Sequence, residues 1–186
     1  FPLAYGNNTP APITDNGTTT STIVVSGADP YLSDLNLQTF IQHTSPDNLD
    51  ITLTAPSGTV VTVTTDNGGA SDNVFNGTVW DDDANPGGQV PYTTNNGLVT
   101  DHAYANNVLA SPLAPEGAFG AFIGEDPNGT WTLTITDDTA GQTGSLDSWS
   151  FDLITLPSAP TFVDSTIGST GAVIIPTGPA VVTSQI

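Results

Sequence analysis

The sequence contains no lysine, no arginine, no cysteine and no methionine among its 186 residues. Nineteen acidic residues give a formal net charge of -19 at pH 7, and two histidines are the only side chains that could carry a positive charge. Without basic residues the protein lacks the phosphate contacts on which nucleic-acid binding depends and the electrostatic attraction to anionic membranes. Divalent cations and cationic surfaces are the partners that this charge favours.

Long hydrophobic runs are absent as well. No stretch approaches the roughly 20 apolar residues of a membrane-spanning helix. The sequence begins at Phe1 without a methionine or a signal-like stretch, so we expect a mature, processed chain. A chain without thiols, thioethers or basic residues resists oxidants and trypsin-like proteases, which suits life outside the cell. We therefore predict a secreted or cell-surface protein without membrane insertion.

Alternation of apolar and polar residues predicts a succession of short β-strands and no convincing helix. The predicted strands lie at 22–25, 35–41, 49–54, 60–63, 79–80, 131–135 and 149–153. Pro56-Ser57-Gly58 separates the third and fourth of these, which predicts a hairpin turn. A chain of this length with 37% hydrophobic residues can build one β-rich domain with a proper core.

Composition divides the chain into three parts. Residues 1–20 are rich in Pro, Asn, Gly and Thr and have no sustained period, which is typical of a linker-like N-terminal extension. Residues 21–156 hold all the predicted strands and form the domain. Residues 157–186 combine prolines with short β-branched apolar runs, so we predict a strand-prone C-terminal extension.

The segment 78–88, TVWDDDANPGG, holds three adjacent carboxylates before a turn. Asp81, Asp83 and Asn85 have the spacing with which successive side-chain oxygens of a tight loop converge on one hard cation. Because the chain has no lysine or arginine, its clustered carboxylates must be solvated, protonated, bonded to backbone N–H groups or neutralised by a metal. We predict a Ca²⁺ site at Asp81, Asp83 and Asn85, and a solvated acidic turn is the alternative.

Catalytic groups are scarce. The chain has no G-x-S-x-G motif, and only His43 and His102 could act as a base for a serine nucleophile. His43 ends a predicted strand, where a structural hydrogen-bonding role is favoured. His102 follows Asp101, and a surface turn explains this Asp-His pair equally well. The only glutamates available for acid catalysis are Glu116 and Glu125. We predict that the protein is not an enzyme.

Several segments resemble one known family in the right order. They are SDLNLQTFIQHT at 33–44, LDITLTAPSGT at 49–59, WDD at 80–82, NGTWTL at 128–133 and GSLDSWSF at 144–151. Together they resemble the P domain, which is found after subtilisin-like proprotein convertases and in many secreted bacterial proteins. The resemblance covers about residues 21–156.

The resemblance implies a β-sandwich of jelly-roll type, which agrees with the strands predicted from alternation. It also implies bound calcium, with the aspartates of the SDN and DDD segments as ligands, here Asp72, Asp81 and Asp83. The usual Gly-Asp of the family is replaced by Asp47-Asn48. Asp138, in the turn before the last strand, is a candidate ligand for a second site, and an ordinary turn aspartate is the alternative.

Two functions follow from these features. Exposed β-branched runs in 157–186 need a partner, and a chain without lysine lacks the commonest blocker of sheet edges. We therefore predict a calcium-stabilised subunit of an extracellular filament or surface layer, a homopolymer built by strand addition. The tails could instead fold back on their own domain.

The alternative function, from the resemblance, is an accessory domain that stabilises or regulates a subtilisin-like catalytic domain. A third is a carbohydrate-binding module that uses Trp80, Trp131 and Trp149, although alternation favours burial of two of these.

Overall fold

The computed structural model describes residues 2–84 and 104–158, which contain nine β-strands and two short 3-10 helices. The strands are β1 (Leu3–Asn7), β2 (Ala11–Ile13), β3 (Thr18–Val25), β4 (Tyr31–His43), β5 (Leu49–Thr54), β6 (Val60–Thr64), β7 (Asn76–Trp80), β8 (Gly129–Asp137) and β9 (Gly144–Leu156). The 3-10 helices span Pro46–Asn48 and Phe119–Phe122. None of the helices in the described part has the length and apolar character needed to cross a membrane.

The strands form two antiparallel sheets. The first sheet has the order β1-β9-β4-β7, with β2 also paired to β9, and the second has the order β3-β8-β5-β6. All seven predicted strand positions fall inside strands, and β5 and β6 form the predicted hairpin, with Gly58 at a φ of 93° in its turn. The prediction of an all-β sandwich is confirmed.

The core lies between the two sheets because alternate residues of the long strands point inward. Trp131, Leu133 and Ile135 of β8 are all buried, as are Trp149, Phe151 and Leu153 of β9. Each of the three tryptophans also satisfies its indole N–H: Trp80 donates to Thr39 Oγ1, Trp131 to Pro127 O and Trp149 to Ser21 Oγ. All three tryptophans are buried, so they cannot stack on a sugar, and the burial that alternation predicted for two of them is confirmed.

The linker interpretation of residues 1–20 is wrong. Leu3–Asn7 and Ala11–Ile13 pair with β9 in succession, so the N-terminal segment completes the edge of the first sheet. Thr18 to Thr20 belong to β3 of the second sheet. Ile13 is buried in the core, which explains how a segment rich in turn-forming residues holds its place.

A segment after the undescribed residues 85–103 covers two further sheet edges. Asp81 N–H donates to Leu113 O at 2.9 Å, and Leu113 N–H donates to Val79 O at 2.8 Å, so residue 113 bonds the outer edge of β7. Glu116 N–H and Gly117 N–H donate to the backbone of β6 at 3.0 and 2.8 Å. These two edges are therefore already paired within the chain.

Candidate functional site

The acidic loop, by which we mean the part of the segment 78–88 that follows Trp80, begins where β7 ends. Register places Leu37 of β4 opposite Trp80, so Asp81 follows β7 beside Asn36. The Asn36 amide, oriented with its nitrogen toward the two acceptors, donates to Leu35 O and to Asp81 Oδ1, each at 3.1 Å. Asp83 N–H also donates to Asp81 Oδ1 at 2.8 Å. The Asp81 carboxylate is thus held in place by β4 and by its own loop.

Asp82 has a different role from its neighbours. Its carboxylate accepts hydrogen bonds from Phe119 N–H at 2.9 Å and from Gly120 N–H at 2.7 Å. These groups belong to the first residues of the second 3-10 helix, whose N–H groups have no partner within the helix. Asp82 therefore fastens this helix to the end of β7, and the structure assigns it a bonding partner that the sequence did not reveal.

Asp34 joins the acidic loop from β4. Burial, followed by the negative charges of Asp81, Asp83 and Asp82, raises the pKa of Asp34 above its usual range, although a backbone hydrogen bond from Leu35 opposes the shift. Asp34, Asp82 and Asp83 line a cleft of about 210 Å³. Sequence reasoning did not include Asp34, because only the pairing of β4 with β7 shows that the two segments meet.

Asp72 lies away from this loop. It precedes β7, whereas Asp81 follows it, and the strand from Asn76 to Trp80 alone spans about 13 Å. Asp72 N–H donates to Asn106 Oδ1 at 2.5 Å, and Asp72 O accepts from Asn107 N–H at 2.9 Å. The structure therefore does not bring Asp72 together with Asp81 and Asp83, and these residues cannot share one ion.

Asp138 lies at the other end of the sandwich, exposed in the turn after β8. Its N–H donates to Asn48 O at 3.0 Å, and Thr139 Oγ1 donates to Asp138 Oδ1 at 3.2 Å. Burial, then the charges of Asp138, Asp66 and Glu116, raise the pKa of Asp50. Asp138 thus contributes to a second concentration of negative charge.

These residues have the oxygen donors that a calcium ion prefers, but the described residues do not form a complete set of ligands. Among residues 2–84 and 104–158, no three histidine or acidic side chains stand close enough together to hold a metal ion. Asn85, the third predicted ligand of the loop, lies outside the described residues, as does His102. The donors that do meet are carboxylate oxygens, which suit calcium, and the charge on Asp34 is uncompensated by any basic residue. The calcium site stays a prediction.

Asp47, at the position where the sequence departs from the P-domain pattern, has an unusual environment. Its Oδ1 is buried without a hydrogen-bond partner in the described part of the chain. The residue lies in the first 3-10 helix between β4 and β5. Sequence reasoning treated this position only as a departure and gave no sign of a buried, unbonded oxygen.

The one described histidine forms a buried pair that crosses the sandwich. His43 Nε2 lies 3.2 Å from Asp137 Oδ2, and both side chains are almost completely inaccessible. His43 Nδ1 lies 2.8 Å from Ser45 O, and Asp137 Oδ1 accepts from Thr139 N–H at 3.2 Å. The pair ties the end of β4 to the end of β8 and offers no surface to a substrate, in agreement with the predicted structural role of His43.

The two glutamates are similarly occupied. Glu116 accepts from Thr65 N–H at 2.8 Å and from Asn67 Nδ2 at 2.7 Å. Glu125 accepts from Ser57 Oγ at 2.6 Å and from Thr59 Oγ1 at 2.5 Å. Both carboxylates connect loops to the β5–β6 hairpin, so these contacts assign them structural roles.

Comparison with known proteins gives one family and matches to several solved structures, including the following two. A serine protease of Aeromonas sobria matches with 18% identity and a TM-score of 0.49, over 84% of this chain and 27% of that one. The Aeromonas sobria serine protease in complex with the chaperone ORF2 matches with 18% identity and a TM-score of 0.49, over 81% and 26%. The chain spans about a quarter of the length of these structures. No curated protein matches.

The family comparison covers most of the domain. The family of the proprotein convertase P-domain matches residues 32–153, from β4 to β9, which is well over half of the chain. The match includes the acidic loop, the His43–Asp137 pair and both long strands of the first sheet. The chain belongs to the proprotein convertase P-domain family.

Proposed function

We propose that this chain is a non-catalytic accessory domain that stabilises or regulates a subtilisin-like serine protease domain outside the cell. The observation that carries the proposal is membership of the proprotein convertase P-domain family over residues 32–153. The roles of the acid and base candidates support it, because His43, Glu116 and Glu125 are all engaged in structural contacts.

The test is whether a serine hydrolase accompanies the chain in its source. The native polypeptide is purified with an antibody against residues 21–156 and treated with a fluorophosphonate probe for active serine hydrolases. We expect the probe to label the same polypeptide or a protein that co-purifies in equal amount. Removal of the P domain should then lower the temperature at which the hydrolase loses activity. Purified material without a labelled hydrolase would contradict the proposal.

A calcium ion at the acidic loop is part of the proposal. Asp81, Asp83 and Asn85 would hold it. The charges of Asp81 and Asp83 already act on the Asp34 carboxyl, so a cation bound at the loop would act on it as well. The ion would supply the positive charge that the chain lacks and would link the end of β7 to β4. Asp138, which lies elsewhere, stays a candidate ligand of a second site, and Asp72, which was expected at this site, is separated from it by the length of β7.

The filament or surface layer stays a prediction from the sequence. Of the segment expected to add a strand, 157–186, residues 159–186 lie outside the described residues. The edges of β6 and β7 are already bonded by residues 113–117. The N-terminal segment folds back on its own domain. Negative-stain electron microscopy with calcium and after chelation is the test: filaments that dissolve on chelation would favour assembly over the accessory role.

A further inference from the structure

The outer face of the second sheet is a regular grid of threonines. Strand register places side chains from β3, β8 and β5 next to one another in rows, and the two central rows are Thr20, Thr134, Thr52 and Thr22, Thr132, Thr54. The next row holds Thr18, Thr136 and Asp50. All of these side chains alternate with more deeply buried residues and therefore point away from the core. We call the outward residues of β3, β8 and β5 the threonine face.

This face differs from the rest of the surface in charge. The chain carries 19 acidic residues, but Asp50 is the only one on the outward positions of the three strands. The outward side of the first sheet, by contrast, bears Asp34, Asn36 and Asp152 beside the acidic loop. Repulsion is concentrated at the Asp50 end, where the charges of Asp138, Asp66 and Glu116 also act. A neighbour that approaches the rest of the face meets less of the repulsion that a net charge of -19 generates.

Apolar side chains extend the face at the end opposite Asp50. Val24 of β3 and Val60 of β6 are 66% and 57% exposed, the two largest exposures among the bulky apolar residues of the described chain. Val60 pairs with Thr54, and Val24 with Thr130, so both valines border the last threonine rows. Threonine methyl groups and these valines together offer apolar contact without a charge.

The size of the face distinguishes between kinds of partner. Strands about 4.8 Å apart and about 3.4 Å per residue give a face of roughly 300–450 Å². A stable complex between free proteins needs about 800 Å² from each partner, so the face alone is too small to hold a second copy. Interfaces between domains of one chain bury about 300–750 Å² per domain, which includes this size.

We propose that the threonine face, with Val24 and Val60 at its end, is the surface that packs against the protease domain to which this domain is tethered. The inference rests on the proposed function, since the partner is the catalytic domain of that proposal. The partner surface should be uncharged and partly apolar. The absence of cysteine from the chain makes this directly testable, because any thiol introduced into it is unique within the domain.

The test compares two single-cysteine variants of the native polypeptide. Thr134→Cys places a thiol at the centre of the threonine face, on β8. Ser150→Cys is the matched control, an outward, half-buried position on β9, the central strand of the first sheet. Each thiol is labelled with a maleimide in the native polypeptide and in the 186-residue chain alone, and labelling is followed by peptide mass spectrometry.

The expected result is that the Thr134→Cys thiol reacts about tenfold or more slowly in the native polypeptide than in the chain alone, because tethering gives an effective concentration in the millimolar range. The Ser150→Cys thiol should react equally in both. Equal reactivity of the Thr134→Cys thiol in both forms, with a fluorophosphonate-reactive domain attached, would overturn this inference alone. Slow labelling in the chain alone that depends on its concentration would also overturn it, in favour of a second copy. Failure to find an attached serine hydrolase would overturn the proposed function and the inference with it.

Discussion

The carboxylates of Asp137 and Asp34 lie in the same sandwich but are compensated in opposite ways. Asp137 is buried and bonded by His43 and by the backbone of Thr139. Asp34 lies in a cleft beside three other aspartates, and burial and their charges raise its pKa. The contrast shows where a protein without lysine or arginine can supply donors and where it depends on solvent or a cation.

The same contrast occurs within the DDD triplet itself. Asp82 receives two backbone N–H groups, while the neighbouring Asp81 and Asp83 share a turn that faces Asp34. Asp82 thus fastens the second 3-10 helix, and Asp81 is bonded by Asn36 and by its own loop. Asp82 and Asp83 both line the cleft beside Asp34. Four experiments test this division, and the first acts on the compensated pair at the centre of the protein.

The largest effect should come from His43→Ala. Removal of the imidazole leaves the buried Asp137 carboxylate without its Nε2 partner, and an unpaired buried charge costs about 3 kcal/mol. The free energy of unfolding should fall by that order in urea titrations with a chelator present. Asp138→Asn is the control, because it changes an exposed neighbour. A loss no larger than that of the control would show that the pair does not join the sheets.

The second effect concerns calcium. The wild-type chain should gain about 2.7 kcal/mol of stability at a calcium concentration 100 times the dissociation constant. Asp81→Asn combined with Asp83→Asn should abolish this gain and change the melting temperature little in chelator. Asp15→Asn combined with Asp29→Asn removes the same charge from exposed positions outside this loop and should keep the gain. Equal losses in calcium and in chelator would argue against a metal at this loop.

A smaller effect separates the middle aspartate from its neighbours. Asp82→Ala removes the acceptor of Phe119 and Gly120 N–H, as the loss of a helix cap does, and should cost about 1–2 kcal/mol. This loss should be the same with and without calcium. Asp83→Ala, one residue away, should matter only in calcium. Thermal denaturation of both variants in both conditions measures the difference, and calcium dependence of the Asp82→Ala loss would assign Asp82 to the metal instead.

Much of the fold could be predicted because its signal is local. Alternation along 131–135 and 149–153 marked β8 and β9, and Pro56-Ser57-Gly58 marked the hairpin. The N-terminal strands could not be predicted, since Leu3–Asn7 has little strand pattern of its own and is held by pairing with β9. Tertiary pairing overrode local propensity there.

The candidate site was predicted less completely for a related reason. Spacing within one loop pointed to Asp81 and Asp83, because those residues are neighbours in sequence. Asp34 lies beside the acidic loop because β4 pairs with β7, and Asp72 is separated from the loop by the length of β7. Alternation indicates which side of a strand a residue faces but not which other strand lies beside it. The division between Asp82 and Asp83 depends on the second 3-10 helix, 36 residues further along the chain.

The smallest effect, and the one that tests the uncompensated group directly, is that of Asp34→Asn. Because the pKa of Asp34 is raised in the folded protein, the native state binds more protons than the unfolded state between the ordinary aspartate pKa of 3.8 and the raised pKa. Stability therefore falls as pH rises through that window, and the ionised carboxylate destabilises the fold at neutral pH. In chelator, Asp34→Asn should raise the melting temperature at pH 7 and leave it unchanged well below pH 3.8. Asp15→Asn, at an exposed position by Gly141, should change the melting temperature at neither pH. A gain at pH 7 that disappears in calcium would mean that the ion compensates Asp34 as His43 compensates Asp137. A loss of stability at pH 7 in chelator would show that the fold already supplies the donors that Asp34 needs.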